Sequence, residues 1–240
     1  MPERRSNTIK RKIKNWTAAD SADLYGVEDW SNGYFSVSRN GEATVRLTDS
    51  NGSVKDISLL EIMRGLAERG TDAPVLLRFR DLLRARVDEL NKSFIKAIKE
   101  VDYKGVYRGV YPIKVNQQRQ IVEEIVSYGA RYHYGLEAGS KPELLAAMAQ
   151  MQDPQAFLMC NGYKDDEFID LALMGQRMGL NINLILEMPN ELPAILNRAK
   201  ELGIEPNLGV RVRLSAKGSG HWSESAGDKS VFGLNTAQVI

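Results

Sequence analysis

Cysteine is almost absent: the 240 residues hold one, Cys160, in the apolar run 156–160. A lone thiol excludes an intrachain disulfide, and in such a run it behaves as a small core residue. Excess charge of either sign is also lacking. Lys and Arg number 32 against 31 Asp and Glu, so no global field points to nucleic acid or a membrane surface as the main partner. No apolar run is long enough to span a bilayer, and the start of the chain lacks the apolar region of a secretory signal. A reducing cytoplasm is therefore the expected compartment. Missing too is a Gly-rich phosphate fingerprint after the first predicted strand, which disfavours an open doubly wound nucleotide-binding sheet.

What is present begins with a basic arm, 1–16, containing Arg4, Arg5, Lys10, Arg11, Lys12 and Lys14. It reads as a solvated, disordered tail, although nucleic acid, anionic lipid and transit peptides also draw on such composition. A mixed α+β lead-in follows over 17–73. Thr17 is placed to cap a short helix through Val27, and Asn40-Gly41 and Asn51-Gly52 supply the positive φ angles that tight hairpins need. From Pro74 short apolar strands alternate with amphipathic helices, the pattern of a parallel α/β domain. The strands are predicted at 75–79, 109–115, 134–138, 156–161, 183–187 and 207–214. Between them, 81–101 reads as a long helix with Leu83, Val87, Leu90, Phe94 and Ile98 on one face. Ser140 and Glu143 have capping-box spacing, and Gly179 and Gly203 close two further helices.

Hydrophobic residues make up 43% of the chain, enough for a real core. A closed (β/α)8 barrel takes eight strands and about 250 residues, and only six strands are predicted. The chain is therefore expected to be the N-terminal portion of a longer protein, with the first part of a barrel over 74–240.

The segment from Val110 to Asn116 carries one lysine, Lys114, among apolar and β-branched neighbours. Desolvation lowers a lysine's pKa and makes it a usable amine nucleophile, able to form a Schiff base with a carbonyl cofactor. The competing reading is a strand-end lysine whose stem packs while its head reaches water. Pro112 is unusual in a central strand. Further polar residues recur at the predicted strand ends: Asn116, Glu137, Asn161, Lys164, Glu187, Arg211 and Arg213. In a barrel these ends converge on the active-site face. Taken singly each has a plain reading: Asn161-Gly162 as a turn, Lys164 as an exposed helix start, and Glu187 as an acceptor for nearby backbone donors.

The segments Val110-Tyr111-Pro112-Ile113-Lys114-Val115-Asn116, Gly135-Leu136-Glu137-Ala138-Gly139-Ser140-Lys141, Cys160-Asn161-Gly162-Tyr163-Lys164-Asp165 and Leu208-Gly209-Val210-Arg211 resemble those of the biosynthetic arginine decarboxylase family. Gly218-Ser219-Gly220, Lys229-Ser230 and Phe232-Gly233-Leu234 continue the resemblance, which covers roughly residues 25–240. More distantly the chain is similar to the alanine racemase-like barrel group that includes ornithine and diaminopimelate decarboxylases.

The resemblance implies an α/β fold with a (β/α)8 TIM barrel of the alanine racemase-like type, incomplete in this chain. It implies pyridoxal 5'-phosphate-dependent decarboxylation of L-arginine to agmatine for polyamine synthesis, with Mg2+ as a second cofactor and a homo-oligomeric assembly. Lys114 would hold the cofactor and hand it to the substrate amine. Glu137 matches the strand-end acid near that lysine, and Arg211 the arginine beside the cofactor ring. The family's ring-stacking histidine, glycine-rich phosphate loop, pyridine-binding acid and cross-subunit cysteine are expected beyond Ile240. His133, His221 and Cys160 do not replace them by motif. Val231 stands where the group has lysine before Phe-Gly. Two other readings remain open at this level: a non-catalytic half-barrel that pairs with a full-length subunit, and the same chemistry on ornithine or diaminopimelate.

Overall fold

Residues 16–48, 52–213 and 233–239 are described by the computed structural model, which divides into two compact units, Met1–Leu82 and Leu83–Ile240. The basic arm before Trp16, Asn51, and the stretch 214–232 with Gly218 to Gly220, His221 and Val231 lie outside the described residues.

In the first unit the short helix α1 (Ala18–Leu24) starts where Thr17 predicts it. The Thr17 hydroxyl accepts the Asp20 N–H at 3.2 Å while the Asp20 carboxylate accepts the Thr17 N–H at 2.8 Å. Helix α2 (Val27–Ser31) follows, then strands β1 (Phe35–Val37), β2 (Ala43–Thr48) and β3 (Val54–Ser58) in an antiparallel meander. Phe35 pairs with Val45, and Gly41 takes φ +81°, so the Asn40-Gly41 hairpin forms as expected. Ser58 caps helix α3 (Leu59–Ala67).

The predicted strand at 75–79 does not form. Phe79 instead meets Phe35 edge-on, with ring centroids 6.3 Å apart, and Phe35 also packs on Trp30. An apolar run that reads as a barrel strand is thus spent on the aromatic cluster of the lead-in, a tertiary choice that local pattern does not encode.

In the second unit, helix α4 (Arg80–Glu100, counted with this unit from Leu83) has Val87 as the one buried member of its predicted apolar face. Five parallel strands follow: β4 (Val110–Pro112), β5 (Gly135–Ala138), β6 (Phe157–Cys160), β7 (Asn181–Leu186) and β8 (Leu208–Val210). They pair in chain order without reversal, as successive βα units of a barrel do and a doubly wound sheet does not. The helices between them are α5 (Arg119–Gly129), α6 (Lys141–Gln150), α7 (Asp166–Arg177) and α8 (Glu191–Leu202), and α9 (Thr236–Val239) comes last. Gly203 ends α8 at φ +64°, and Gly179 follows α7 at φ +95°. No helix among the described residues is long and apolar enough to cross a membrane.

The core lies between the sheet and its helices. Leu136, Leu158, Ile182 and Leu184 pack with Leu144, Ile169, Leu173 and Ile195. Burial alternates along β6 and β7, so Leu158, Cys160, Ile182 and Leu184 face the helices while the intervening residues on the other face are half-buried. On β5, Leu136 and Ala138 belong to the helix-facing core, which turns Glu137 to the opposite face, in register with Pro112 and Met159. The sheet thus carries a buried acid on the surface that a closing barrel would make its interior.

Candidate active site

The chain leaves β4 through a 3-10 turn, Ile113–Val115. Ile113 takes the interior position at 1% exposure, and Lys114 and Val115 turn outward, exposed. Of the two readings of Lys114, the one whose head reaches water agrees with the structure: Ile113 takes the interior and the amine stays accessible at the strand end. Asn116 shapes the turn that follows, its side chain accepting the Gln118 N–H at 3.1 Å and its carbonyl accepting the Tyr111 hydroxyl at 3.3 Å.

The buried lysine is Lys164, which the sequence places on an exposed helix start. Its ammonium is sealed from solvent, donates to the Gly162 carbonyl at 2.7 Å, and faces Glu191 at 3.4 Å. Burial pushes this lysine below its usual range, against the opposing pull of Glu191 and Glu187. Asp165 caps α7 by accepting the Phe168 N–H. The exposed charge at that helix start thus belongs to Asp165, Asp166 and Glu167, one residue beyond the lysine.

Four strand-end residues fall into two hydrogen-bonded sets joined through the 161–162 peptide. Glu137, 6% exposed, accepts from Asn161 Nδ2 at 3.0 Å. The adjacent Gly162 donates its N–H to Glu187 Oε1 at 2.7 Å, and Glu187 Oε2 accepts from Arg211 Nη1 at 3.0 Å. Gly162 lies at φ +76°, and a Cβ there would sit 2.5 Å from the Gly139 carbonyl, so glycine lets the loops after β5 and β6 touch. Arg211 directly follows β8, its N–H bonded to the Leu186 carbonyl. Arg211 and Arg213 lie beyond the strand, with Val212 between them bridging to Leu234. The network does not include Lys114, which stands two residues past Pro112, the register partner of Glu137.

Two further acids, Glu191 and Glu143, belong to the site without lying at a strand end. Glu191 caps the entry to α8 by accepting the Glu187 and Met188 N–H groups at 2.7 and 3.3 Å. Its signal was an acid in the first turn after Pro189-Asn190. Glu143 does not close the expected capping box with Ser140. It accepts the Gly139 N–H at 2.7 Å and Gln117 Nε2 at 3.0 Å, tying the turn after β4 to the loop after β5. A cleft of about 520 Å3 lies behind these residues between α5 and α6, but none of Lys114, Glu137 or Arg211 lines it.

Cys160 ends β6 inside this framework, and burial pushes its thiol up to about 12, with Lys164 drawing it down and Glu137 raising it further. An unfolded thiol titrates near 9.0. The neutral thiol's contribution is thus fully present below pH 9 and is lost as pH rises toward 12, at about 1.4 kcal/mol per pH unit. Lys164 works in the other sense: its folded value is depressed below 10.5, so its contribution grows as pH rises to 10.5 and no further. Urea unfolding at pH 9, 10 and 11 of the wild type and Cys160→Ala isolates the thiol. The wild type is expected to lose stability relative to the variant with rising pH, and parallel curves would show a thiol in contact with water.

Residues 87–240 match the family described as "Pyridoxal-dependent decarboxylase, pyridoxal binding domain". Biosynthetic arginine decarboxylases of Gloeobacter violaceus and Rhodopirellula baltica are 44% and 46% identical over 95% and 94% of this chain, which spans 35% and 33% of theirs. The solved structure of biosynthetic arginine decarboxylase from Campylobacter jejuni superposes with a TM-score of 0.77 at 39% identity, over 90% of this chain and 33% of that one. Diaminopimelate decarboxylase from M. jannaschi shares the fold at 19% identity and a TM-score of 0.63, over 86% of this chain and 42% of that one. The chain therefore spans about a third of the length of the curated relatives it matches. A parallel sheet in barrel order, an accessible strand-end lysine and a match over most of the second unit agree: the chain belongs to the pyridoxal-dependent decarboxylase family.

Proposed function

We propose that the protein carrying this chain decarboxylates L-arginine to agmatine and carbon dioxide, with pyridoxal 5'-phosphate attached at Lys114. The observation that carries the reading is the presence of an accessible amine, a buried carboxylate and an arginine along the carboxyl-end edge of one parallel sheet, at the ends of β4, β5 and β8. That donor set suits the cofactor: an amine for its carbonyl, an anion to favour a protonated nitrogen nearby, and a cation to orient electron-rich ring atoms.

The cofactor, when bound, supplies the electron sink for the pair left when the bond between the α-carbon and the carboxylate breaks. Lys114 Nζ would hold it and release it to the substrate amine. Glu137, fixed by Asn161 Nδ2, keeps negative charge at the site. Arg211, half-exposed just beyond β8, would orient the ring. A proton replaces carbon dioxide on the α-carbon, which balances arginine plus H+ against agmatine plus CO2. The Mg2+ that the resemblance implies finds no group of three or more His, Cys, Asp or Glu ligands among the described residues, so no step is assigned to it. We place the enzyme as a homo-oligomer in the cytoplasm, in keeping with one buried free cysteine.

The test is release of labelled carbon dioxide from carboxyl-labelled arginine, ornithine and diaminopimelate by the protein expressed from its full reading frame. Arginine is expected to lead in kcat/KM by about a hundredfold or more, since a site built for a guanidinium leaves polar groups unpaired with the shorter amines. Equal or faster turnover of either competitor would reassign the substrate.

A further inference from the structure

Glu187 is the most connected residue of the strand-end network, and the proposed chemistry leaves it without a task. Its side chain is 1% exposed. One carboxylate oxygen accepts the Gly162 N–H of the loop after β6, and the other accepts Arg211 Nη1 after β8. Its own N–H is held by Glu191, and its carbonyl accepts the Gly233 N–H at 3.0 Å. Burying a carboxylate costs free energy unless it is paired and hydrogen-bonded. Here the compensation comes from two different loops, so the arrangement is favourable only while both stay in place.

We propose that Glu187 is a positioning residue for Arg211: its buried carboxylate fixes the guanidinium at the end of β8 and locks it to the loop after β6. The consequence for the site rests on the reading of Arg211 as a cofactor contact; the positioning itself does not. Rigid placement follows from the partners. The Glu187 backbone is clamped by Glu191, Glu191 is held by the sealed Lys164, and Lys164 returns to the carbonyl of Gly162, whose N–H Glu187 binds. This closed ring leaves the carboxylate little freedom. A charge-assisted bond from a half-exposed arginine to such an anion is stronger than one to a mobile surface acid.

Glu187→Gln keeps an oxygen for the Gly162 N–H and removes the charge that holds Arg211. Phenylglyoxal must reach the guanidinium nitrogens, and Nη1 of Arg211 is engaged by the Glu187 carboxylate. In the cofactor-free protein, peptide mapping is therefore expected to show Arg211 modified roughly fivefold faster in Glu187→Gln, with the melting temperature lowered by no more than about 4 °C, matching the loss of a modest ion pair. Glu187→Asp, which keeps the charge on a shorter arm, is expected to fall between wild type and Glu187→Gln, and it decides the matter alone if the glutamine variant does not fold. Titration with pyridoxal 5'-phosphate forms the second arm. Faster Arg211 labelling with weaker cofactor binding supports both the positioning role and the cofactor contact. Faster labelling with unchanged cofactor binding supports the positioning role and removes Arg211 from the cofactor site. Unchanged Arg211 reactivity in the folded variants overturns the proposal whatever the cofactor does.

Discussion

Lys114→Ala is expected to abolish covalent capture of pyridoxal 5'-phosphate and to lower kcat for arginine by about a thousandfold or more, as loss of a covalent nucleophile does. The rival amine is Lys164, which has the depressed pKa usually associated with a nucleophilic lysine. Access decides between them. The Lys164 side chain is 0% exposed and its ammonium is already engaged by the Gly162 carbonyl and Glu191, whereas Lys114 is exposed at the end of β4. Borohydride reduction after incubation with the cofactor, followed by peptide mapping, is expected to place one pyridoxyl group on Lys114 and none on Lys164. A label on Lys164, or labels spread across surface lysines in both wild type and Lys114→Ala, would sink the assignment.

Elements governed by local chemistry were legible in the sequence. The Thr17 cap, the Asn40-Gly41 hairpin and the Gly203 helix end each depend on a few neighbouring residues, and each forms where expected. Five of the six predicted strands form: four are shortened to the stretches that actually pair, and β7 starts two residues earlier than expected, at Asn181. The sixth, 75–79, fails because Phe79 finds a ring partner in Phe35, 44 positions earlier in the chain. The box at Ser140 fails for a similar reason: Glu143 meets a better-placed donor in Gly139 and a second in Gln117.

The site was legible as a set of strand-end residues and less so in its electrostatics. The apolar neighbours of Lys114 leave a desolvated and a water-reaching amine both open, and a 3-10 turn decides by giving the interior to Ile113. Lys164 looks exposed because three acids follow it, and the carboxylate that makes its burial tolerable, Glu191, lies 27 residues away. A charge is buried only where its counter-charge arrives by tertiary folding, and no local window contains both. The same reasoning explains why Glu187 read as a backbone acceptor: one of its two partners is a backbone N–H, and the other, Arg211, is 24 residues off.

The ion pair of Lys164 and Glu191 should dominate any stability measurement on the second unit. Lys164→Met removes the cation and leaves the Glu191 carboxylate, 1% exposed, with only the Glu187 and Met188 N–H groups for compensation. Breaking a buried pair from one side costs about 3–5 kcal/mol, a large share of the 5–15 kcal/mol that a domain typically has. The double variant Lys164→Met with Glu191→Gln should recover about half of that, because glutamine retains a carbonyl oxygen for the two backbone donors while the uncompensated charge is gone. Urea denaturation at pH 7 with a common m-value reads both. A single variant within about 1 kcal/mol of wild type would mean that water reaches Glu191. A double variant no better than the single would assign the loss to the Gly162 carbonyl, which loses its lysine donor in both. Because that carbonyl and the Gly162 N–H flank one loop, the single variant should also loosen the bond from Gly162 to Glu187 and raise the reactivity of Arg211, linking the stability of the buried pair to the geometry of the strand-end site.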